Sequence, residues 1–118
     1  MSELYEIPVA DEDRIKAELA LTLVAASIGF APRRLRTPGR MIGADGRARR
    51  LAVYLAYVTF GWTLDRAGHA FGLNRTTAAN CCRWVEDARD SKPLDELLDH
   101  LEDCAKQVLT LTHSGLPA

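Results

Sequence analysis

The apolar positions of this chain recur at helical rather than strand spacing. From Asp11, with Glu12 and Asp13 in a first turn where the helix dipole favours negative charge, Ile15, Leu19, Leu23 and Ala26 fall about one turn apart. Ala20, Leu21 and Val24 broaden that stripe, and Gly29 ends the helix. Pro32, whose fixed φ suits a first helical position, starts a short second helix through Leu35. Thr37-Pro38-Gly39 interrupts the pattern, and a loop runs to the region of Gly46. A third helix is predicted from Arg47 to Thr59, with Asp45 as its N-cap and Leu51, Tyr54, Leu55 and Val58 as its inner face. Gly61 closes it. Thr63 caps a fourth helix, Leu64 to Phe71, which stops at Gly72; a fifth runs from Arg75 to Asp90. Ser91 and Pro93 open a sixth, along which Leu94, Leu97, Leu98, Leu101, Cys104, Ala105, Val108 and Leu109 form one amphipathic stripe. The pattern predicts an all-α fold: one bundle of six helices over residues 11–111, with residues 1–10 a flexible lead-in and 112–118 a flexible tail.

Composition narrows the classes. With 118 residues, 47% of them apolar, the chain has room for one domain with a true core. No run of about 18 apolar residues exists, so no membrane span is expected. The acidic start, Met1-Ser2-Glu3-Leu4-Tyr5-Glu6, lacks an apolar signal core, and a cytoplasmic, nucleoid-associated protein is the expectation. Three cysteines cannot form a closed disulfide set, and Cys81 and Cys82 are adjacent, so free thiols are expected, with a redox role for Cys82 as an alternative. Neither Cys81 and Cys82 with His69, nor His100 with Cys104, has the spacing of a zinc site; no metal and no cofactor is expected. The net charge of −1 conceals a polarised chain: residues 1–32 carry −4, residues 33–83 carry +8 and residues 84–118 carry −5. Arginine supplies 12 of the 15 cationic side chains, and its planar fork suits phosphates and guanine edges.

The chemistry concentrates in residues 63–83, TLDRAGHAFGLNRTTAANCCR, which have the layout of a helix-turn-helix. Gly72 can take a left-handed turn conformation, Ala67 and Gly68 allow close helix crossing, and Phe71 and Leu73 bracket the turn as core anchors. On the second helix Ala78, Cys81, Val85 and Ala88 share an inward face. Arg75, Thr76, Thr77, Ala79, Asn80 and Arg83 then face outward, with no acid before Glu86, a set suited to phosphates and major-groove base edges. Arg47, Arg49 and Arg50 crowd a helix start, where they oppose the dipole and so call for negative charge nearby. Trp62 and Trp84 read as core or partner contacts, and His69 has no nucleophile at a recognisable spacing, so an enzyme is not expected. The acids Asp95, Glu96, Asp99, Glu102 and Asp103 lie opposite the leucines of the sixth helix, which either simply covers the core or offers an acidic surface to a co-regulator or polymerase.

The stretch RARRLAVYLAYVTFGWTLDRAGHAFGLNRTTAANCCRWVE (47–86) resembles the C-terminal DNA-binding domain of the bacterial replication initiator DnaA, and the likeness extends over residues 14–110. The resemblance implies a fold like that family's DNA-binding domain, binding double-stranded DNA as a monomer. It implies base contacts from Asn74, Arg75, Thr76, Thr77 and Asn80, and backbone contacts from Arg40, Arg47, Arg49, Arg50, Thr63 and Arg83. The signature is one residue shorter here, with Asn74-Arg75 where the family has an Asp-His pair, and Arg40 alone stands for its basic loop. No Walker motif occurs, so the resemblance implies a stand-alone transcription regulator rather than an ATP-driven initiator. It is similar in this to the small DnaA-like activators of gene transfer agent clusters. The alternative from another class is a protein-interaction adaptor or antagonist that keeps the fold without strong DNA affinity.

Overall fold

The computed structural model describes residues 8–36 and 42–113, apart from the side chains of residues 112 and 113. Arg40 and most of the predicted lead-in, interhelical loop and tail lie outside the described residues. Six helices follow in order: α1 Asp11–Ile28, α2 Pro32–Arg36, α3 Gly43–Phe60, α4 Leu64–Ala70, α5 Arg75–Ala88 and α6 Lys92–His113. The fold is all-α, and the described residues contain no strand.

Helix α3 is the axis of the bundle. It packs against each of the other five helices, with α1 and α5 as its main partners. Its residues Leu51, Ala52, Val53, Tyr54, Leu55 and Ala56 are all buried, so this segment faces protein on every side. Such all-round burial needs small residues among the large ones, and alanines at 48, 52 and 56 supply them. Val58, expected on the inner face, is exposed at the far end. The helix also starts earlier than predicted. Ile42 holds the extended N-cap conformation without a side-chain cap, and the Gly46 N–H donates to the Ile42 carbonyl at 2.9 Å. Asp45 therefore sits inside the first turn rather than at its cap. There it complements the dipole and pairs with Arg34 of α2, supplying part of the negative charge that the crowded arginines require.

Helix α1 lies on α3 through Ala17, Ala20, Leu21, Val24 and Ala25. That stripe is rotated from the expected one: Ile15 is 64% exposed and Ala26 is exposed, while Leu19 and Leu23 are half-buried. Helix α6 covers α3 and α1 through Leu98, Leu101 and Ala105, with Leu94, Leu97, Cys104 and Leu109 half-buried beside them. The α6 helix continues to His113, past the predicted end.

Two devices place α4 and α5. The first is a close approach. A Cβ on Gly68 would lie 2.7 Å from the Leu73 carbonyl oxygen and 3.1 Å from that of Asn74, so the α4–α5 turn can fold back only over a glycine. The second is an ion pair across the bundle. Arg66 of α4 donates Nε and Nη2 to the two carboxylate oxygens of Asp13 in α1, at 2.9 and 2.8 Å. Its guanidinium lies 5.3 Å from the ring centre of buried Trp62.

Gly68→Ala tests the first device. Alanine favours the helix by about 1 kcal/mol, but a clash with backbone cannot be relieved by a rotamer, and overpacking of this kind costs about 1–3 kcal/mol. A lowered melting temperature is expected; an unchanged or raised one would remove the constraint. The second device makes an acid-sensitivity prediction. The Arg66 guanidinium holds the Asp13 carboxyl below its ordinary 3.8. A depressed carboxyl contributes stability above its unfolded value and loses it as pH falls through the folded one. Wild type should therefore exceed Asp13→Asn in denaturant midpoint at neutral pH, and the two curves should converge as pH falls below the ordinary carboxyl value and through the lowered one of folded Asp13. Glu12, held down by Lys16, leaves the variant with some acid sensitivity of its own. Parallel curves across the whole range would show that the pair contributes nothing.

Candidate nucleic-acid interface

The helix-turn-helix is closed by a backbone motif. The Leu73 N–H donates to the Gly68 carbonyl at 2.7 Å, and the Gly72 N–H to the His69 carbonyl at 3.2 Å. With Gly72 at φ 73°, this is the Schellman arrangement that satisfies the last carbonyls of α4 and turns the chain toward α5. Phe71 and Leu73, expected as core anchors, are only half-buried and flank the turn at the edge of the core. Both helix starts are capped by side chains. Thr63 Oγ1 accepts from the Arg66 N–H at 3.1 Å, and Asn74 Oδ1 accepts from the Thr77 N–H at 2.7 Å. The Asn74 cap gives this residue a structural role beside the expected base contact: its side-chain oxygen accepts from the backbone, and its amide NH2 is left to donate outward. Thr63 likewise keeps only its hydroxyl proton for a phosphate.

On α5, Ala78, Cys81, Cys82 and Val85 are buried, and Ala88 is half-buried. Arg75, Thr76, Asn80 and Arg83 are exposed, with Thr77 and Ala79 half-exposed between them. This outward row matches the expected one. Arg83 donates Nη1 to Asn80 Oδ1 at 3.2 Å, which orders the two side chains together. Arg75 makes no ion pair among the described residues. No acid lies in the first turn of α5, so its positive dipole end and the Arg75 guanidinium act in the same direction. Cys82 is buried beside Cys81; burial pushes its thiol up to about 11, and burial also raises Cys81 against the pull of Arg50 and Arg49. Neither is the exposed thiolate that a redox switch needs. Among the described residues no three His, Cys, Asp or Glu side chains gather as a metal site, although Cys104 Sγ lies 3.7 Å from His100 Nε2.

The arginines at the start of α3 do not form one patch. Arg49 turns toward the helix-turn-helix turn, where it lines a cavity with Phe71 and Ala70. Arg47 and Arg50 turn the other way, to Trp84 on α5: Arg50 lies 5.1 Å from the indole centre, and Arg47 shares an apolar cavity with Trp84, Leu94 and Phe30. Trp84 is thus a half-buried platform between α3 and α5, while Trp62 is core. The cations flank α5 from two sides of α3.

Arg89, which the sequence pattern did not single out, organises the acidic side of the molecule. Its side chain is 19% exposed and donates to Asp95 and Asp99 at 2.6 Å, to Glu102 at 2.8 Å and to the Tyr54 hydroxyl at 3.0 Å. Tyr54 is buried on α3. One guanidinium therefore ties the end of α5 to α6 and α3, and its hydrogen bonds hold its own proton more tightly than usual. Three of the five α6 acids that the alternative reading offered as a partner surface are committed to this network, leaving Glu96 and Asp103 exposed beside it. Helical spacing puts Asp95, Asp99 and Glu102 on one face of α6, but no spacing rule joins that face to Arg89 or to Tyr54; the turn between α5 and α6 and the packing on α3 bring them together.

No protein-family model, no curated protein and no solved structure matches this chain.

Proposed function

We propose that the protein is a sequence-specific, double-stranded DNA-binding transcription regulator. Helix α5 enters the major groove, and Arg47, Arg49, Arg50, Thr63 and Arg83 meet the backbone. The observation that carries this reading is the outward row of α5. Three capped helical turns project Arg75, Thr76, Asn80 and Arg83 with no carboxylate among them, on a helix-turn-helix whose angle is held by Gly68. An arginine fork can grip a guanine edge, and hydroxyl and amide groups beside it can take neighbouring bases. The resemblance of residues 47–86 to the initiator's DNA-binding domain supports the same placement. The commitment of Asp95, Asp99 and Glu102 to Arg89 weighs against a reading in which α6 is chiefly an acidic docking surface for a co-regulator or polymerase.

The reading separates base contacts from backbone contacts. Sites are first recovered by genome-wide immunoprecipitation of the tagged protein, then titrated as specific and scrambled duplexes at two salt concentrations. With about six phosphates neutralised, log affinity should fall with log salt at a slope near −5. Arg75→Ala should lose about 1–3 kcal/mol on the specific duplex and far less on the scrambled one. Arg49→Ala should weaken both about equally and reduce the slope by roughly one. Equal losses for Arg75→Ala on both duplexes would move the reading helix elsewhere. A flat salt dependence in a folded protein would favour the adaptor or antagonist.

A further inference from the structure

One cavity joins Arg49 and the motif turn to Arg14 and Arg36, two arginines that the proposed reading of α5 does not use. It has a volume of about 220 Å³ and lies between α1, α2, α3 and the end of α4. Three of its nine lining residues are arginines from three different helices: Arg14 of α1, Arg36 of α2 and Arg49 of α3. Its one acid is Glu18, which is ion-paired to Arg36, and Arg14 pairs with Asp11 outside the lining, so arginine outnumbers acid three to one among the lining residues. The floor is apolar, with Ala17, Leu21 and Leu35 all buried. Arg14 and Arg36 are exposed, with side chains 65% and 47% accessible, so the attraction for an anion comes from three guanidinium groups converging on one space. Guanidinium forks approaching from three directions match the several oxygens of a phosphate group better than the two of a carboxylate.

We propose that this cavity is a binding site for a phosphate-class anion, seated by Arg14, Arg36 and Arg49. The space accommodates a phosphate group, and because it opens to solvent the remainder of a phosphate ester can project outward. On entry the anion takes Arg36 in exchange for Glu18 and draws Arg14 from its exposed partner Asp11. Ala70 and Phe71 of the motif turn form part of the wall, so an occupant bears directly on the segment that aims α5. The phosphate has two possible sources: the backbone of a bound duplex or a free phosphorylated small molecule. The site itself stands without the DNA-binding reading; only the first source rests on it.

The test is a titration of the full chain with inorganic phosphate against sodium chloride at matched ionic strength. It is followed by nuclear magnetic resonance at the arginine Nε–H and backbone N–H groups. Saturable shifts are expected at Arg14, Arg36, Arg49, Ala70 and Phe71 in phosphate only. Arg14→Gln, an exposed change that leaves the core untouched, and Arg36→Gln should each weaken the phosphate affinity by about tenfold, the loss of one charge-assisted contact of about 1.4 kcal/mol. Shifts that never saturate, that chloride reproduces, or that both variants retain at full affinity would overturn the site. Repeating the titration with duplex present assigns the source. If duplex binding shifts the same arginines and abolishes the phosphate response, the anion is a backbone phosphate. If phosphate still saturates the site on the complex, or if no duplex binds at all, the ligand is a free phosphate.

Discussion

The geometry of this protein turns on a contact that leaves no room for a single carbon atom. Gly68 of α4 faces the carbonyls of Leu73 and Asn74, and that approach allows the turn to fold tightly enough for Leu73 to donate back to the Gly68 carbonyl. The conformation of Gly72 completes the reversal. Asn74 can then cap α5, and α5 can lay Ala78, Cys81 and Val85 on the bundle while turning Arg75, Thr76 and Asn80 to solvent. A slip of one residue in the turn would rotate α5 by about 100° and bury the row that now faces out.

The remaining helices hold that turn in place and polarise the molecule around it. Helix α3 is buried along its middle and carries arginines at its start, so one element supplies both core and cations. Asp13 fastens α4 to α1 through Arg66, and Arg89 fastens the end of α5 to α6 and α3. The Arg89 cluster has a second consequence. It gathers carboxylates at the C-terminal end of α5, where a guanidinium compensates them, and leaves the N-terminal end of the same helix free of acids. The helix dipole runs with this gradient, so the exposed first turns of α5 attract anions.

Much of this is legible in the sequence where a local rule decides it. Glycines at 29, 61 and 72 end or turn helices because each holds a positive φ, and Thr63 caps α4 through its own hydroxyl. The outward row of α5 follows from helical spacing on a strongly two-sided helix. Helix α1 is different: alanine, leucine and valine surround most of its circumference, so spacing alone does not choose between stripes. Packing on α3 selects Ala17, Leu21 and Val24 and leaves Ile15 outside. Asp45 resembles a cap because nothing local reveals that α3 begins at Gly43, and the side chain instead answers Arg34 on another helix. Helical spacing gathers Asp95, Asp99 and Glu102 on one face of α6, but it does not connect that face to Arg89 and Tyr54, nor the three arginines of the cavity to one another.

The most direct measurement is a map of amide shift changes in the intact protein as a duplex carrying its recovered site is added. Perturbations concentrated at Asn74 to Asn80 and at the start of α3, with α6 beyond Glu102 silent, are the expected pattern. Perturbations confined to α6, or none at duplex concentrations that saturate ordinary DNA-binding domains, would contradict the placement of α5 in the groove.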